Sequence, residues 1–421
     1  MQLPGPTRLR RYNRARVLRE IQRTESPSRT QIAEMLGLSL MAVTRIVREL
    51  IAAGLVREGE KSQSNSPGRR RTVLNLPADG AYVLGVSLNA YDSSVSLANI
   101  RGEIVSRRSL ALNGLSDSKR AIVKCGDLAR ELIAAAEIDR ERLLGLGAVI
   151  AGVVDHRQGT VIAAPFLGWK FTDIGSLLRR AVDLPVVVEN LDNALLLAEV
   201  RFGMAAGRSS ALYVRSAAGL GGSLFLDGQL IRGARFRAGQ IGHLPVNGAR
   251  RTCSCGRIGC LNTVSSGGAV LAELGRTTGA IPFPGDDRKN KAQLDEVLAA
   301  AMAGNVRTKE VLFRAGRHLG QAVLQIATAL DPEEILLAGP LGCTASYQDG
   351  FKTGLATYAS ETAGFVRVST MDDAQAAVFL ALSELVFSDR LSLRSLRTAR
   401  RRRHGEHEGR KEKAIRTSLA W

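Results

Sequence analysis

Three of the chain's five cysteines stand within eight residues, in the stretch CSCGRIGC. A histidine precedes the first of them by ten positions. The four side chains predicted to bind a metal ion are those of His243, Cys253, Cys255 and Cys260. One imidazole and three thiolates complete the tetrahedral shell of a closed, structural zinc site. Gly256 and Gly259 permit the tight reversal that brings the sulfurs together. Free core cysteines or a redox group are the alternative, and the pattern favours the metal.

The composition predicts a cytoplasmic protein that makes no membrane contact. Hydrophobic residues make up 45% of the chain and charged residues 23%, as in ordinary globular proteins. No apolar run approaches the roughly 18 residues that span a bilayer, and the basic start lacks the apolar segment of a secretion signal. Thiols stay reduced in the cytoplasm, where clustered cysteines bind metal more often than they pair.

A second group of chemically suited side chains lies near the start, on the last of three helices predicted within residues 12–56. That helix begins at Ser39 as N-cap, after a turn at Gly37. Its apolar stripe consists of Leu40, Val43, Ile46, Val47 and Leu50. Helix, short turn and amphipathic helix form the helix-turn-helix pattern. The residues of this helix predicted to contact the base edges or phosphates of DNA are Ser39, Met41, Ala42, Thr44, Arg45 and Arg48.

The residues after Gly54 predict a wing, two short strands around a loop. The loop tip joins Pro67 and Gly68 to three arginines. These arginines, Arg69, Arg70 and Arg71, are suited to phosphates or to a narrow minor groove. Any helical hairpin can mimic a helix-turn-helix, but the basic wing favours DNA binding.

Charge is concentrated at the two ends of the chain, which carries a net +18. Residues 1–80 hold 15 Lys and Arg against 7 Asp and Glu, and residues 390–421 hold 11 against 3. The body between them is nearly neutral. Basic ends predict a polyanionic partner, most simply double-stranded DNA. The alternative is that these charges serve solubility or reflect a genome rich in arginine codons, above all for the tail.

The alternation of strand-like and helix-like residue patterns from Ala81 onwards predicts an α/β body. Residues 81–105 have period-2 runs and turns, and residues 210–231 repeat that strand–turn–strand texture, which suggests a duplicated architecture. The sequence therefore predicts a winged helix-turn-helix domain over 1–80 and an α/β body over 81–387. Residues 388–421, basic and poor in bulky apolar residues, are predicted to be a largely disordered tail.

The cysteine stretch also resembles the signature of the ROK family of repressors, open reading frames and sugar kinases. That signature runs Gly-Glu-Ile-Gly-His and then Cys-x-Cys-Gly-x-x-Gly-Cys-Leu-Glu, which correspond here to residues 239–243 and 253–262. The resemblance extends to about residue 387. It implies an actin-like, hexokinase-type body of two lobes with a cleft between them. Together with the N-terminal winged helix, it implies the transcriptional-regulator branch.

The positions that the resemblance assigns to nucleotide phosphates depart from the kinase pattern. The family's Asp-x-Gly-Gly-Thr becomes Ser87 followed by Asn89, Ala90 and Tyr91, whose side chains fill space that backbone amides need. In the second segment, usually Gly-Thr-Gly-Ile-Gly-Gly, Ala218 removes the hydroxyl, although three glycines remain.

The catalytic base of the family's kinases is the Asp of an Asn-Asp-Ala-Asn segment, which corresponds to Leu191. Leucine cannot accept a proton. Asp192 is adjacent, but successive residues at a helix start point about 100° apart. Rescue by Asp192 would therefore need a local shift.

The implied sugar-binding positions are altered as well. Gln240 and Asn262 stand where the family has glutamates, so that two carboxylates become amides. Phe166 replaces an asparagine. The residues predicted to bind an effector in the cleft are Asn190, Gln240, His243 and Asn262. The ligand either differs from glucose-like sugars or has been lost.

These observations predict a DNA-binding transcriptional regulator, a repressor controlled by a sugar or a related small molecule, without kinase activity. It would act as a homodimer or higher homo-oligomer on a pseudo-palindromic operator. The alternative from another class is an active ATP-dependent sugar kinase with an appended DNA-binding domain. A third possibility is a constitutive regulator whose body serves dimerisation and zinc binding alone.

Overall fold

The computed structural model describes residues 5–24, 26–61, 72–89, 92–112, 117–277, 287–356, 365–393 and 396. The predicted wing arginines Arg69, Arg70 and Arg71 lie outside these residues, as does residue 397 with everything after it. Within the described part of the chain, no helix is long and apolar enough to cross a membrane.

The N-terminal domain has three helices and a two-stranded antiparallel sheet, as predicted. Its elements are α1 Pro6–Arg23, α2 Arg29–Leu36, α3 Leu40–Ala52, β1 Arg57–Lys61 and β2 Thr72–Asn75. Ser28 begins α2 with a capping box to Gln31. Gly37 ends it at a φ of +63°, in the left-handed region that glycine tolerates. The Ser39 hydroxyl accepts a hydrogen bond from the Ala42 amide at 3.2 Å and so begins α3.

Two five-stranded sheets form the body, and they share one topology. The strands of the first are β3 Tyr82–Leu88, β4 Ser94–Asn99, β5 Ile104–Ser109, β6 Leu143–Ile150 and β10 Val186–Asn190. Those of the second are β11 Ala211–Ser216, β12 Leu220–Leu226, β13 Gln229–Ile231, β14 Ile335–Ala338 and β15 Val366–Ser369. The orders β10-β6-β3-β4-β5 and β15-β14-β11-β12-β13 each join an antiparallel meander to two parallel strands. The predicted duplication is therefore confirmed.

A smaller antiparallel sheet and ten helices complete the described body. The small sheet contains β7 Val153–Asp155, β8 Thr160–Ala164 and β9 Trp169–Asp173. The helices are α4 Ser118–Ala135, α5 Ile174–Val182, α6 Leu191–Phe202, α7 Asn262–Ser265, α8 Gly267–Glu273, α9 Asp287–Met302, α10 Val306–Leu330, α11 Gly339–Gly342, α12 Ala345–Leu355 and α13 Asp373–Ala381.

Helix α13 lies between the lobes and packs on strands β3 and β6 and on helix α6. Glycines in the strands allow this close approach: a Cβ at Gly85 would touch the Val378 backbone at 3.0 Å, and one at Gly147 would collide with the Ala377 carbonyl. The chain continues from α13 through a π-helical turn, Leu382–Val386. One element thus connects the cleft to the N-terminal domain.

The prediction that a disordered tail begins at residue 388 is wrong for its first residues. Leu391, Leu393 and Leu396 are buried in the same apolar cluster as Val17 and Leu18 of helix α1. The buried Arg14 guanidinium donates a hydrogen bond to the Leu391 carbonyl. The predicted boundary at 387 therefore assigns to the tail a set of residues, 388–393 and 396, that covers the N-terminal domain.

Candidate functional sites

Helix α3 divides its residues between the domain core and solvent. Val43, Ile46, Val47 and Leu50 are buried. Leu40, which the predicted stripe included, is instead 51% exposed because it stands at the first turn, above the core.

The opposite face of α3 is free for contact with another molecule. Met41 is 83% exposed, and Arg45 and Arg48 are exposed beside the half-buried Ala42 and Thr44. Short side chains between two arginines leave room for base edges while the guanidinium groups reach phosphates. The geometry is that of a recognition helix.

The four predicted metal ligands come together. Their ligand atoms all lie within 4.8 Å of one another. The Cys255 and Cys260 sulfurs are 3.7 Å apart, and Nδ1 of His243 lies 3.7 Å from the Cys253 sulfur. A tetrahedron with metal–sulfur bonds of about 2.3 Å has edges of about 3.8 Å. The donor set and its spacing therefore fit a tetrahedral metal ion.

The three cysteines lie on a compact turn, residues 253–260, which is called the knuckle below and is held by backbone hydrogen bonds. The Cys253 amide donates to the Arg257 carbonyl, and the Gly256 amide donates back to Cys253. Gly256 and Gly259 have φ values of +86° and +80°, as the predicted reversal requires. Although partial burial opposes it, hydrogen bonding to Arg257 lowers the pKa of Cys255 to about 7. Thiolate, the form that binds metal, is thereby favoured at Cys255, whereas burial raises the pKa of Cys253 and raises that of Cys260 to about 12.

Internal ion pairs occupy the cleft where the resemblance implies nucleotide phosphates. Arg215, at the end of β11, pairs with Asp373 at 3.4 Å. The amide of Asn89, at the end of β3, donates to the same carboxylate at 2.6 Å. The contact joins both lobes to the first turn of α13. Burial disfavours the charge on Arg215, but Asp373 and Asp192 outweigh it and raise the pKa of the guanidinium.

The start of helix α6 holds the residues at the implied catalytic-base position. Leu191 is 1% exposed and packs in an apolar cluster. Asp192 points at β12, where a Cβ on Gly221 would collide with its Oδ2. Its Oδ1 is shielded from solvent and has no hydrogen-bond partner among the described residues. Burial raises the pKa of Asp192 to about 6, against the attraction of Arg215.

The predicted effector residues lie around strand β12, but two of their side chains already serve the backbone. Asn190 caps helix α6 through the Asn193 amide at 3.0 Å and donates to the Gly152 carbonyl at 2.7 Å. Asn262 is 3% exposed and accepts from the Leu220 amide at 2.8 Å. Gln240 is exposed and His243 is half-buried, so the freest polar groups lie on the second lobe.

A cluster at the cleft mouth was missed by the sequence analysis. The buried Glu189 carboxylate pairs with Arg232 at 2.7 Å. His156 of the β7–β8 turn meets the Phe236 ring edge to face at 5.7 Å. The φ of Phe236 is +56°, a strained value for a bulky residue. Nδ1 of His156 is buried without a partner among the described residues. Only the folded chain brings positions 156 and 236 together, so local sequence carries no signal.

The predicted family resemblance and fold class agree with comparisons to known proteins. Residues 84–378 match the sequence profile of the ROK family, and residues 10–57 match a winged helix-turn-helix DNA-binding profile. The xylose repressor of Caldicellulosiruptor bescii is 28% identical over 337 residues, which cover 79% of this chain and 84% of the repressor. The DNA-binding transcriptional dual regulator NagC of Escherichia coli is 25% identical over 336 residues, 79% of this chain and 81% of NagC.

Solved structures support the same architecture. A ROK family transcriptional regulator, described as a homolog of the E. coli MLC protein, superposes with a TM-score of 0.75 at 23% identity. The match covers 93% of this chain and 100% of that regulator. A ROK hexokinase from Thermus thermophilus gives a TM-score of 0.54 at 24% identity and covers 72% of this chain and 97% of that enzyme. The larger superposition therefore includes the DNA-binding domain.

Proposed function

Because this chain belongs to the ROK family, we propose that it is a DNA-binding transcriptional repressor that responds to a sugar or a related small molecule and has no kinase activity. The observation that carries the proposal is the combination of an exposed recognition helix with a phosphate position closed by Arg215 and Asp373. The names of the relatives, a xylose repressor and the regulator NagC, support the same class.

DNA contact is assigned to Ser39, Met41, Ala42, Thr44, Arg45 and Arg48 of α3 and to the wing arginines Arg69, Arg70 and Arg71. Two such domains in a homodimer would read the half-sites of a pseudo-palindrome. Replacing Arg45 and Arg48 with Ala should weaken operator binding and flatten its salt slope by about one unit per lost phosphate contact. Arg120→Ala, which removes an exposed charge from helix α4 of the body, is the matched control and should leave the slope unchanged.

The absence of kinase activity is argued from two features of the cleft. Leu191 offers no proton acceptor at the implied base position, and the carboxylate of Asp192 lies against Gly221 rather than towards solvent. A nucleotide would also have to displace the pair that Arg215 forms with Asp373. Three glycines kept at positions 219, 221 and 222 favour the alternative, a kinase with an appended DNA-binding domain. Release of ADP in the presence of hexoses or N-acetylhexosamines would establish that alternative.

The effector site is assigned to Asn190, Gln240, His243 and Asn262, with His156 added from the cleft mouth. Burial and the neighbouring Arg232 lower the pKa of His156, so that its ring is neutral at pH 7. A neutral imidazole with a free nitrogen both donates and accepts, as a sugar hydroxyl requires. The Phe236 contact links the lobes beside it, so a ligand that favours one degree of closure would shift the population of lobe positions.

Helix α13 provides the path from the cleft to DNA. Its first residue, Asp373, pairs with Arg215, and its N-cap, Asp372, pairs with Arg107 of β5 at 3.0 Å. The chain beyond it enters the apolar cluster of the N-terminal domain. A change in lobe closure that moves α13 would therefore change the spacing of the two recognition helices in a dimer.

Zinc is proposed as a structural cofactor at His243, Cys253, Cys255 and Cys260. Asn262, two residues after Cys260, bonds the backbone of Leu220, so the knuckle also supports the start of β12. We further propose a DNA-binding domain over residues 1–80 and a ROK body over 81–387, with residues 388–393 and 396 assigned to the interface between them.

One screen tests the proposal as a whole. Full-length, metal-loaded protein is heated with pentoses, hexoses, N-acetylhexosamines and their phosphates, each with and without ATP and Mg²⁺. A saturable rise in melting temperature with one sugar, independent of ATP, is expected. A rise that needs both sugar and nucleotide would support the kinase instead. No rise with any sugar would leave a constitutive regulator whose body serves dimerisation and metal binding.

A further inference from the structure

A basic cavity adjoins the loop that precedes the metal-binding cysteines. It has a volume of about 390 Å³ and opens between the loop at 248–251 and helices α7, α8 and α10. Its polar lining consists of Arg250, Arg251, Thr263, Glu273, Arg314 and His318. None of Asn190, Gln240, His243 and Asn262 lines it. The cavity is therefore separate from the interlobe cleft.

Positive charge exceeds negative charge in this cavity. Glu273 is its only lining carboxylate, and it pairs with Arg251 at 3.3 Å and with Arg314 at 3.4 Å. These pairs are long and half-exposed, and a guanidinium has five N–H donors, so most donors of both arginines remain available. Arg250 forms no ion pair within the described residues. Two positive charges are left without a balancing carboxylate.

The geometry of the arginines suits an oxyanion. Glu273 fixes Arg251 and Arg314 from the loop and the helix, on two sides of the opening. Planar guanidinium groups bind phosphate and carboxylate oxygens in pairs. His318 lies half-buried next to them, and its ring has no hydrogen-bond partner among the described residues. It can add a further bond to a ligand oxygen.

The floor of the cavity is apolar. Val264, Val270 and Val311 contribute to it. Apolar walls around a few converging polar groups are typical of small-molecule sites, and volumes of roughly 300–1,000 Å³ are usual for them. A surface patch of solvated arginines would lack such a floor. A concave shape with an apolar floor, together with unbalanced charge, points to a bound small molecule.

We propose that this cavity binds a small organic anion that carries a phosphate or carboxylate group. The oxyanion lies between Arg250, Arg251 and Arg314, and the ligand's body rests on the valines. Arg250 and Arg251 belong to the segment between His243 and Cys253, whereas Arg314 belongs to α10. Binding thus ties the metal-binding segment to α10. It is a second ligand site of the body, independent of the sugar effector.

The test measures binding to full-length, metal-loaded protein without DNA. Inorganic phosphate, glycerol 3-phosphate and succinate are titrated at constant ionic strength, by calorimetry and by melting temperature. Saturable binding of at least one of them is expected. The phosphate compounds and succinate separate the two kinds of oxyanion. Metal content is measured after each titration, so that loss of the ion is not mistaken for binding.

Arg314→Gln should weaken this binding about ten-fold, since it removes a charged hydrogen-bonding partner. Arg317→Gln is the matched control, because it removes the same charge from an exposed position of the same helix that does not line the cavity. It should leave the affinity unchanged. Arg250→Gln provides a second variant at an exposed loop position, where folding is not at risk.

Two results would overturn the proposal. One is that every anion has only a weak, non-saturating effect, and that this effect is the same in Arg314→Gln and Arg317→Gln. The other is an absence of small-anion binding together with weaker non-specific DNA binding in Arg314→Gln, which would make the cavity part of a DNA surface. Sugar binding in the cleft is measured separately on the same variants, so failure here leaves the repressor proposal standing.

Discussion

Two regions of the body, the implied phosphate position and the cysteine knuckle, differ in whether their polar groups already have partners within the protein. At the implied phosphate position, Arg215 and Asn89 both bond to the carboxylate of Asp373, so these groups already have partners within the protein. At the knuckle, the ligand atoms of His243 and three cysteines converge to within 4.8 Å of one another. The first site thus pairs its charges internally, whereas the donors of the second converge in the spacing that a tetrahedral metal ion requires.

Removing the metal is expected to have the largest effect. Chelation, or Cys260→Ser, should lower the free energy of unfolding by at least about 4 kcal/mol, because the ion ties the His243 turn to the cysteine knuckle. Calorimetry with metal analysis measures this. Cys343→Ser, which changes an exposed cysteine outside the cluster, is the control. Equal stability of chelated and loaded protein would mean that no ion braces this region.

Breaking the ion pairs at the phosphate position should come next. Arg215→Met leaves Asp192 and Asp373 without their cation and should cost about 2–3 kcal/mol, less than a fully buried pair because the side chains are partly exposed. Chemical denaturation measures it. Arg57→Gln, which breaks an exposed pair with Asp79 on the surface, should cost less than about 1 kcal/mol. Similar losses for both would show that the cleft pairs are ordinary surface contacts.

Asp192 gives a smaller effect with a defined pH dependence. Its pKa of about 6 lies above that of an unfolded aspartate, near 4. The native protein therefore holds a proton that the unfolded chain has lost, and its stability falls as pH rises from about 4 to 6. Asp192→Asn should gain about 1–2 kcal/mol over the wild type at pH 7 and nothing at pH 4. Asp183→Asn, an exposed carboxylate, should gain nothing at either pH.

ATP with Mg²⁺ is expected to have no effect. At millimolar concentration it should leave the melting temperature unchanged, because the phosphate position is filled by the protein's own charges. Arg215→Met tests this explanation, because it removes one of the charged groups from that position. A rise in the melting temperature of the wild-type protein with ATP and Mg²⁺ would contradict the view that the position is filled.

The sequence predicted the parts that depend on local spacing. Ser39 as a helix start, the knuckle glycines and the duplicated strand texture are read from neighbours in the chain. Arg215 and Asp373 are 158 residues apart, and neither has a local feature that predicts the other. Leu391 and Leu393 were assigned to the tail because they are sparse within a basic stretch, and composition averages over single apolar residues. Contacts between residues that are far apart in the chain, such as Arg215 with Asp373, could not be predicted in this way.

The cover that residues 388–393 and 396 form on the N-terminal domain has a consequence during synthesis. Arg14 and its partner Leu391 are 377 residues apart. A ribosome adds about 5–20 residues per second, so the helix-turn-helix emerges roughly 20 to 75 seconds before the leucines that complete its core. The N-terminal domain therefore cannot complete its apolar cluster until residue 396 has been synthesised, and a chain that stops before Leu391 would leave Val17 and Leu18 without these leucines.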